Sequence, residues 1–89
     1  MQKRVLVVDD NPPDADMIKE LLEDENIKVD IAYSGKEGLD KIKQIKPDLV
    51  ILDLILPDIS GFDVCSSIKK DPSLKKVIVV ILSMKDDIE

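Results

Sequence analysis

The sequence predicts an α/β domain in which helices cover both faces of a parallel sheet, because strand-like and helix-like segments alternate along the chain. Two short apolar runs, residues 5–8 and 49–52, lack polar alternation and are typical of strands buried on both faces. Both runs lead directly into aspartate. The order βαβαβαβ predicts right-handed crossovers and a three-layer architecture.

The first strand, residues 5–8, is followed by a helix that opens at Asn11, with Asn11 as its N-cap and Pro12 in its first turn. We expect Asn26 to end this helix. Apolar residues that recur at helical spacing predict its buried stripe, which consists of Ala15, Ile18, Leu21 and Leu22.

The second strand is predicted at Lys28–Ala32, where polar and apolar residues alternate as in an edge strand. A capping-box pattern from Ser34 to Glu37 opens the second helix, and Pro47 stops it. The predicted buried stripe of that helix is Leu39, Ile42 and Ile45. We expect solvated faces, with a docking patch as the alternative, for Lys41, Lys43, Lys46, Lys69, Lys70, Lys75 and Lys76.

The third strand is predicted at Leu49–Asp53, and a loop at residues 55–59 leads from it to a third helix. Ser60 has the N-cap pattern of that helix, which extends to about Lys70. A turn then precedes a fourth apolar strand at residues 77–82. The residues of the third helix expected to face the sheet are Val64, Ile68 and either Phe62 or Cys65.

Length and composition limit the classes of function. With 89 residues and a net charge of −6, the chain reads as one small acidic domain, which argues against direct binding of nucleic acid or of an anionic membrane. No run approaches a membrane span and no signal-peptide pattern is visible, so we expect a cytoplasmic location. The lack of histidine excludes Ser-His hydrolase chemistry, histidine zinc sites and a histidine phosphodonor, and the single cysteine excludes an internal disulfide.

Three carboxylates follow two of the predicted strands. Asp9 and Asp10 come directly after the first strand, and Asp53 ends the third. In open α/β sheets, ligands bind beyond the carboxyl ends of the strands, so we expect these side chains in one small volume. Three negative charges so close repel one another unless a cation lies among them, and oxygen ligands favour a hard divalent cation.

The chain resembles the receiver domain of two-component response regulators in three segments, which occur in that family's order and spacing. The segments are VVDDNP at residues 7–12, DLILPDISG at residues 53–61 and VVILS at residues 79–83, and the second is the most specific. The resemblance implies a flavodoxin-like (CheY-like) three-layer parallel sheet, β1-α1-β2-α2-β3-α3-β4, with strand order 2-1-3-4. We therefore expect residues 1–89 to be a receiver domain truncated before its fourth helix, fifth strand and fifth helix.

The resemblance also implies a phospho-acceptor domain of a phosphorelay and assigns roles within the acidic site. Asp53 matches the phospho-acceptor, which takes a phosphoryl group from a histidine kinase or phosphotransfer protein. Asp10 matches a direct Mg²⁺ ligand, Asp9 its acidic partner acting largely through water, and Ile55 a ligand through its backbone carbonyl. Together with Asp53 these residues form the implied Mg²⁺ site. Ser83 matches the switch hydroxyl that hydrogen-bonds the phosphoryl group.

Two features depart from the family pattern. The family places a lysine at the end of a fifth strand, and Lys85 lies too close to Ser83 to match it. Beside Ser83, where the family usually has a small residue, stands Met84. Our hypothesis is that its side chain narrows access to Asp53, and unchanged phosphorylation and dephosphorylation rates in Met84→Ala would contradict it.

Two other classes of function stay open beside the phospho-acceptor. One is a receiver-like protein-interaction module that does not turn over, because the lysine side of the site is absent. The other is a Mg²⁺ phosphatase of the haloacid dehalogenase type, which requires Asp-x-Asp at its nucleophile. Ile55 stands where the second aspartate is needed, so we expect no enzyme, and at most self-phosphorylation and self-dephosphorylation.

An apolar edge predicts that the chain associates with a partner. Without a further strand, residues 77–82 form a long apolar edge, and one sheet face exposes an apolar patch. We therefore expect either a homo-oligomer or swapped partner that covers this edge, or that the 89 residues are a fragment of a longer product.

Overall fold

The computed structural model describes residues 2–82 as a four-stranded parallel sheet with helices on both faces. The elements are β1 (Arg4–Val8), α1 (Pro12–Glu23), β2 (Lys28–Ala32), α2 (Gly35–Ile45), β3 (Leu49–Asp53), α3 (Gly61–Lys70), a 3₁₀ turn (Pro72–Leu74) and β4 (Ile78–Leu82). The strand order β2-β1-β3-β4 confirms the predicted order and the edge position of β2. None of the helices within residues 2–82 is long and apolar enough to cross a membrane.

Alternate side chains of the central strand β1 point to opposite faces and build two separate cores. Leu6 and Val8 pack on one face with residues of α2 and α3, such as Ile42 and Val64. Val5 and Val7 pack on the other face, which among the described helices α1 covers. Within residues 2–82 the three layers are therefore unequal, with two helices on one face and one on the other.

The buried stripe of α1 is narrower than the sequence predicts. Ala15 is buried, and Ile18 and Leu22 pack against the sheet, whereas Leu21 is 62% exposed, so its assignment to the stripe is wrong. At about 100° per residue the first three side chains span about 60° of the helix, and Leu21 lies about 60° beyond them.

The polar N-caps explain where the helices begin. The side chains of Asn11, Ser34 and Ser60 accept hydrogen bonds from backbone N–H groups of the first turns of α1, α2 and α3, as predicted. The predicted end of α1 is three residues late: the helix ends at Glu23, and Asn26, with φ of 64°, lies in the turn that follows.

The predicted stripes of the other two helices agree with the structure. On α2, Ile42 is buried, and Leu39 and Ile45 pack against the same core. On α3, Val64 and Ile68 are buried. The alternative left open there is settled in favour of Cys65, which packs against this core, whereas Phe62 is 65% exposed.

Candidate functional site

Neighbouring strands bring the three predicted carboxylates together. β1 and β3 pair in parallel with Val8 opposite Leu52, so Asp9 and Asp53 follow at the same level of the sheet. The Asp9 N–H donates to the carbonyl of Ala32 at 3.0 Å, which fixes the backbone just beyond β1. Asp9, Asp10 and Asp53 each offer a carboxylate oxygen, and these oxygens lie within 4.8 Å of one another. The expectation that they share one small volume is confirmed.

Asp9 is the buried member of this cluster, with 3% of its surface exposed. Burial raises the pKa of its carboxyl, and the nearby charges of Asp53, Asp14 and Asp10 raise it further. A hydrogen bond from the Asn11 N–H to Asp9 Oδ1, 3.0 Å long, acts in the opposite direction by stabilising the charged form. The site therefore holds more negative charge than its own hydrogen bonds balance.

Asp53 and Ile55 are held together by a short turn at the end of β3. Asp53 Oδ1 accepts a hydrogen bond from the Ile55 N–H at 3.3 Å, and Asp53 is partly buried. The Ile55 side chain is 64% exposed, and the backbone N–H of this residue is the group that contacts Asp53. The cluster thus supplies carboxylate oxygens beside a main-chain segment, a donor set that fits a hard cation such as Mg²⁺.

Gly61 closes the loop that follows Asp53, and sequence reasoning did not assign it to the site. Its N–H donates to the carbonyl of Leu54 at 2.9 Å. A Cβ atom at this position would overlap the Asp53 carbonyl oxygen and lie 2.8 Å from the Leu54 Cα. Glycine is therefore required because α3 begins in direct contact with the backbone that carries Asp53. The signals in the sequence are a glycine directly after the cap Ser60 and its place as the last residue of the segment DLILPDISG.

Asp58 is a second residue that sequence reasoning missed. Its Oδ1 accepts from the N–H groups of Gly35 at 2.8 Å and Ile59 at 2.9 Å, and its Oδ2 accepts from the Lys36 N–H at 2.8 Å. The hydrogen bonds from Lys36 and Gly35 lower the pKa of the Asp58 carboxyl. The partners lie 22 and 23 residues away, so no local spacing signals the contact.

Two other predictions meet different outcomes. Ser83, the predicted switch hydroxyl, and Met84 lie outside the described residues. Lys41, expected on a solvated face, instead donates from Nζ to the carbonyl of Ile31 at 2.6 Å and pairs with Glu37 at 3.4 Å. Helix α2 is thus tied to the end of β2, because this lysine reaches over an exposed strand edge.

The sequence comparisons all match response regulators. The family model described as "Response regulator receiver domain" matches residues 5–89. The DNA-binding response regulator MtrA of Mycolicibacterium smegmatis is 38% identical over 87 residues, and the response regulator ArlR of Staphylococcus saprophyticus is 38% identical over 84 residues. The matches cover 98% and 94% of this chain but 37% of each relative, so the chain spans little more than a third of their length.

Solved structures of response regulators share the fold of this chain. A response regulator receiver domain protein (CheY-like) from Methanospirillum hungatei superposes with a TM-score of 0.90 at 30% identity, covering 98% of this chain and 68% of that one. The response regulator TrrA from Thermotoga maritima, solved in complex with Mg²⁺-BeF, gives a TM-score of 0.87 at 39% identity, covering 94% and 71%. The flavodoxin-like expectation is confirmed.

Proposed function

Because the chain belongs to the family of response regulator receiver domains, we propose that it is a phospho-acceptor of a two-component phosphorelay, with Asp53 as the acceptor. The observation that carries the proposal is the cluster of Asp9, Asp10 and Asp53 carboxylates at the carboxyl ends of β1 and β3. Asp53 is the member that stands at the end of a strand with its side chain partly exposed, so it is within reach of a phosphodonor.

The proposed reaction is transfer of a phosphoryl group from a phosphohistidine of a kinase or phosphotransfer protein. A carboxylate oxygen of Asp53 forms a bond to phosphorus, the bond between phosphorus and the imidazole nitrogen breaks, and the electron pair returns to that nitrogen. The product is an acyl phosphate on Asp53. The protein contributes position and electrostatics: the Ile55 N–H orients Asp53, and the paired strands fix its distance from Asp9 and Asp10.

Mg²⁺ is the proposed cofactor. Asp10, Asp53 and the backbone carbonyl of Ile55 would hold it directly, and Asp9 would support it largely through water. When bound, Mg²⁺ supplies positive charge that offsets the repulsion between the acidic cluster and the phosphoryl oxygens. The raised pKa of Asp9 and the crowding of the three carboxylates support a cation here, and the Thermotoga neighbour was solved with Mg²⁺-BeF.

Partners and switch residue follow from the family. We propose Ser83 as the hydroxyl that hydrogen-bonds the phosphoryl group. We also propose that residues 1–89 act in the cytoplasm on a histidine kinase or phosphotransfer protein. Some relatives are named DNA-binding response regulators, but this chain spans a minor part of them and carries a net charge of −6, which disfavours direct contact with DNA.

Labelling with a small phosphodonor tests the proposal. Incubated with acetyl phosphate and Mg²⁺, the protein is expected to gain one phosphoryl group, detected by intact mass spectrometry. Asp53→Asn and the wild type in EDTA are the matched controls, and neither is expected to be labelled. A wild type that stays unlabelled, or an Asp53→Asn variant that is labelled, contradicts the proposal and favours the protein-interaction module.

A further inference from the structure

The loop between β3 and α3 is fastened at two points. At its base the Gly61 N–H bonds the Leu54 carbonyl, and at its tip Asp58 bonds the first turn of α2. This loop, residues 54–60, starts at the proposed acceptor Asp53 and carries the Ile55 carbonyl. Its position therefore determines where that carbonyl lies relative to the three carboxylates.

We propose that Asp58 is a positioning residue of the phosphorylation site, which acts by fastening loop 54–60 to helix α2. The inference rests on the proposed function and goes beyond it, because Asp58 is neither the acceptor nor a member of the acidic cluster. Its two hydrogen bonds of 2.8 Å from Gly35 and Lys36 join the loop to a helix more than twenty residues earlier in the chain. A third, 2.9 Å long, comes from the Ile59 N–H within the loop itself.

Close packing supports the same role. A Cβ atom at Gly35 would overlap the Ile59 side chain and lie 3.2 Å from Asp58 Oδ1, so the loop rests directly on the first residue of α2. Ile59 also packs against the core shared by α2 and α3. The loop tip is thus held by a carboxylate on one side and by an apolar side chain on the other.

The capping of α2 is divided between two residues, which makes the role testable. Ser34 is the N-cap residue, directly before α2 in the chain, and its Oγ accepts from the Glu37 N–H at 3.1 Å. Asp58 accepts from the N–H groups of Gly35 and Lys36 and comes from the loop. Loss of either side chain removes capping hydrogen bonds of α2, but only loss of Asp58 releases loop 54–60.

The experiment compares Asp58→Ala with Ser34→Ala in the same protein. We measure the Mg²⁺ Kd by calorimetry and the rate of Asp53 labelling by acetyl phosphate. Supporting groups of metal ligands typically account for 10- to 100-fold in affinity or activity, so we expect Asp58→Ala to weaken Mg²⁺ binding and slow labelling by about 10-fold each. Ser34→Ala is expected to lower Tm while leaving both quantities at the wild-type value.

Two further variants keep the test decisive if Asp58→Ala fails to fold. Asp58→Asn keeps one accepting oxygen for Gly35 and Ile59 but turns a donor towards the Lys36 N–H. We therefore expect its loss of Mg²⁺ affinity and of labelling rate to be smaller than that of Asp58→Ala. Gly35→Ala leaves the Asp58 side chain in place but puts a Cβ atom against Ile59 and Asp58 Oδ1, so it should displace the loop and weaken Mg²⁺ binding as well.

The outcomes separate the two proposals. Equal effects of Asp58→Ala and Ser34→Ala, or an unchanged Mg²⁺ Kd in Asp58→Ala, would show that Asp58 only caps the helix and would overturn the inference. A wild type that binds Mg²⁺ but is not labelled contradicts the phospho-acceptor function, and the Mg²⁺ affinities then still decide the role of Asp58. A wild type that neither binds Mg²⁺ nor is labelled contradicts both the phospho-acceptor function and the role of Asp58.

Discussion

Asp9 is buried although it carries a carboxyl group that shares its surroundings with three other acidic side chains. The backbone hydrogen bond from Asn11 supports the charged form, but burial and the neighbouring charges outweigh it and raise the pKa. Folding without a cation therefore costs free energy at this residue at neutral pH. Such a conflict between stability and local charge is typical of a site kept for function.

Replacing Asp9 by asparagine is expected to stabilise the metal-free protein. Asparagine keeps an oxygen for the Asn11 N–H and removes the charge, so we expect a gain of about 0.5–2 kcal/mol in the free energy of unfolding at pH 7 in EDTA, the usual range for a single stabilising substitution. The measurement is urea unfolding with EDTA or with Mg²⁺. Saturating Mg²⁺ should stabilise the wild type by mass action and the variant much less.

The control is the pH dependence of the free energy of unfolding, measured for the wild type and Asp9→Asn. A carboxyl whose pKa is raised in the folded state binds its proton more tightly there than in the unfolded chain. Its destabilising effect is therefore relieved as pH falls from neutral through the folded pKa towards the unfolded value of 3.8. The advantage of Asp9→Asn in EDTA should shrink over that range. An advantage that is absent, or that grows as pH falls, would contradict the assignment of charge conflict to Asp9.

At the scale of elements, the contact between β3 and α3 decides where the acceptor lies. Helix α3 begins against the backbone of Asp53 and Leu54, and Gly61 makes this possible. We expect Gly61→Ala to cost about 1–3 kcal/mol, as overpacking usually does, and to slow Asp53 labelling because the acceptor backbone must shift. Urea unfolding and acetyl phosphate labelling measure the two effects.

Gly38→Ala on α2 is the matched control for this prediction. Its Cβ would meet the Val8 side chain at 3.0 Å rather than a backbone atom, and alanine favours the helix. We expect Gly38→Ala to change stability less than Gly61→Ala and to leave labelling unchanged. Equal loss of labelling in both variants would show that helix packing in general, and not contact with the acceptor backbone, controls the reaction.

The elements and the acidic cluster could be predicted from the sequence because their signals are local. Lys28–Ala32 and Leu49–Asp53 have the predicted bounds. Two apolar runs lead into aspartate, and a parallel sheet places the carboxyl ends of its strands at one edge, so the acidic cluster could be predicted as well. The contacts of Asp58 and Gly61 could not be predicted, because they depend on how loop 54–60 lies over α2 and β3. Leu21 was misassigned since helical spacing does not reveal how wide a stripe the sheet covers.

At the scale of the whole molecule, the helices described between residues 2 and 82 cover the two faces of the sheet unequally. Ile78 and Val80 lie opposite Leu49 and Ile51 in the β3–β4 pairing and therefore share the face on which α1 packs. Both side chains are exposed, at 63% and 45%. Within residues 2–82, β4 pairs with β3 alone, so its other edge offers free backbone groups beside apolar side chains.

We expect this exposed strand to drive association that depends on concentration. In light scattering coupled to size exclusion, the mass of the 89-residue protein should rise with concentration, and Val80→Lys should shift it towards the monomer, because a charged side chain on an edge strand opposes pairing. Tyr33→Lys is the matched control: it puts the same charge at another exposed hydrophobic residue, 42% accessible, just beyond the opposite edge strand β2. The control should associate as the wild type does. A wild type that elutes as a sharp monomer at every concentration, with a cooperative melt, would contradict the expectation that a second copy covers this surface.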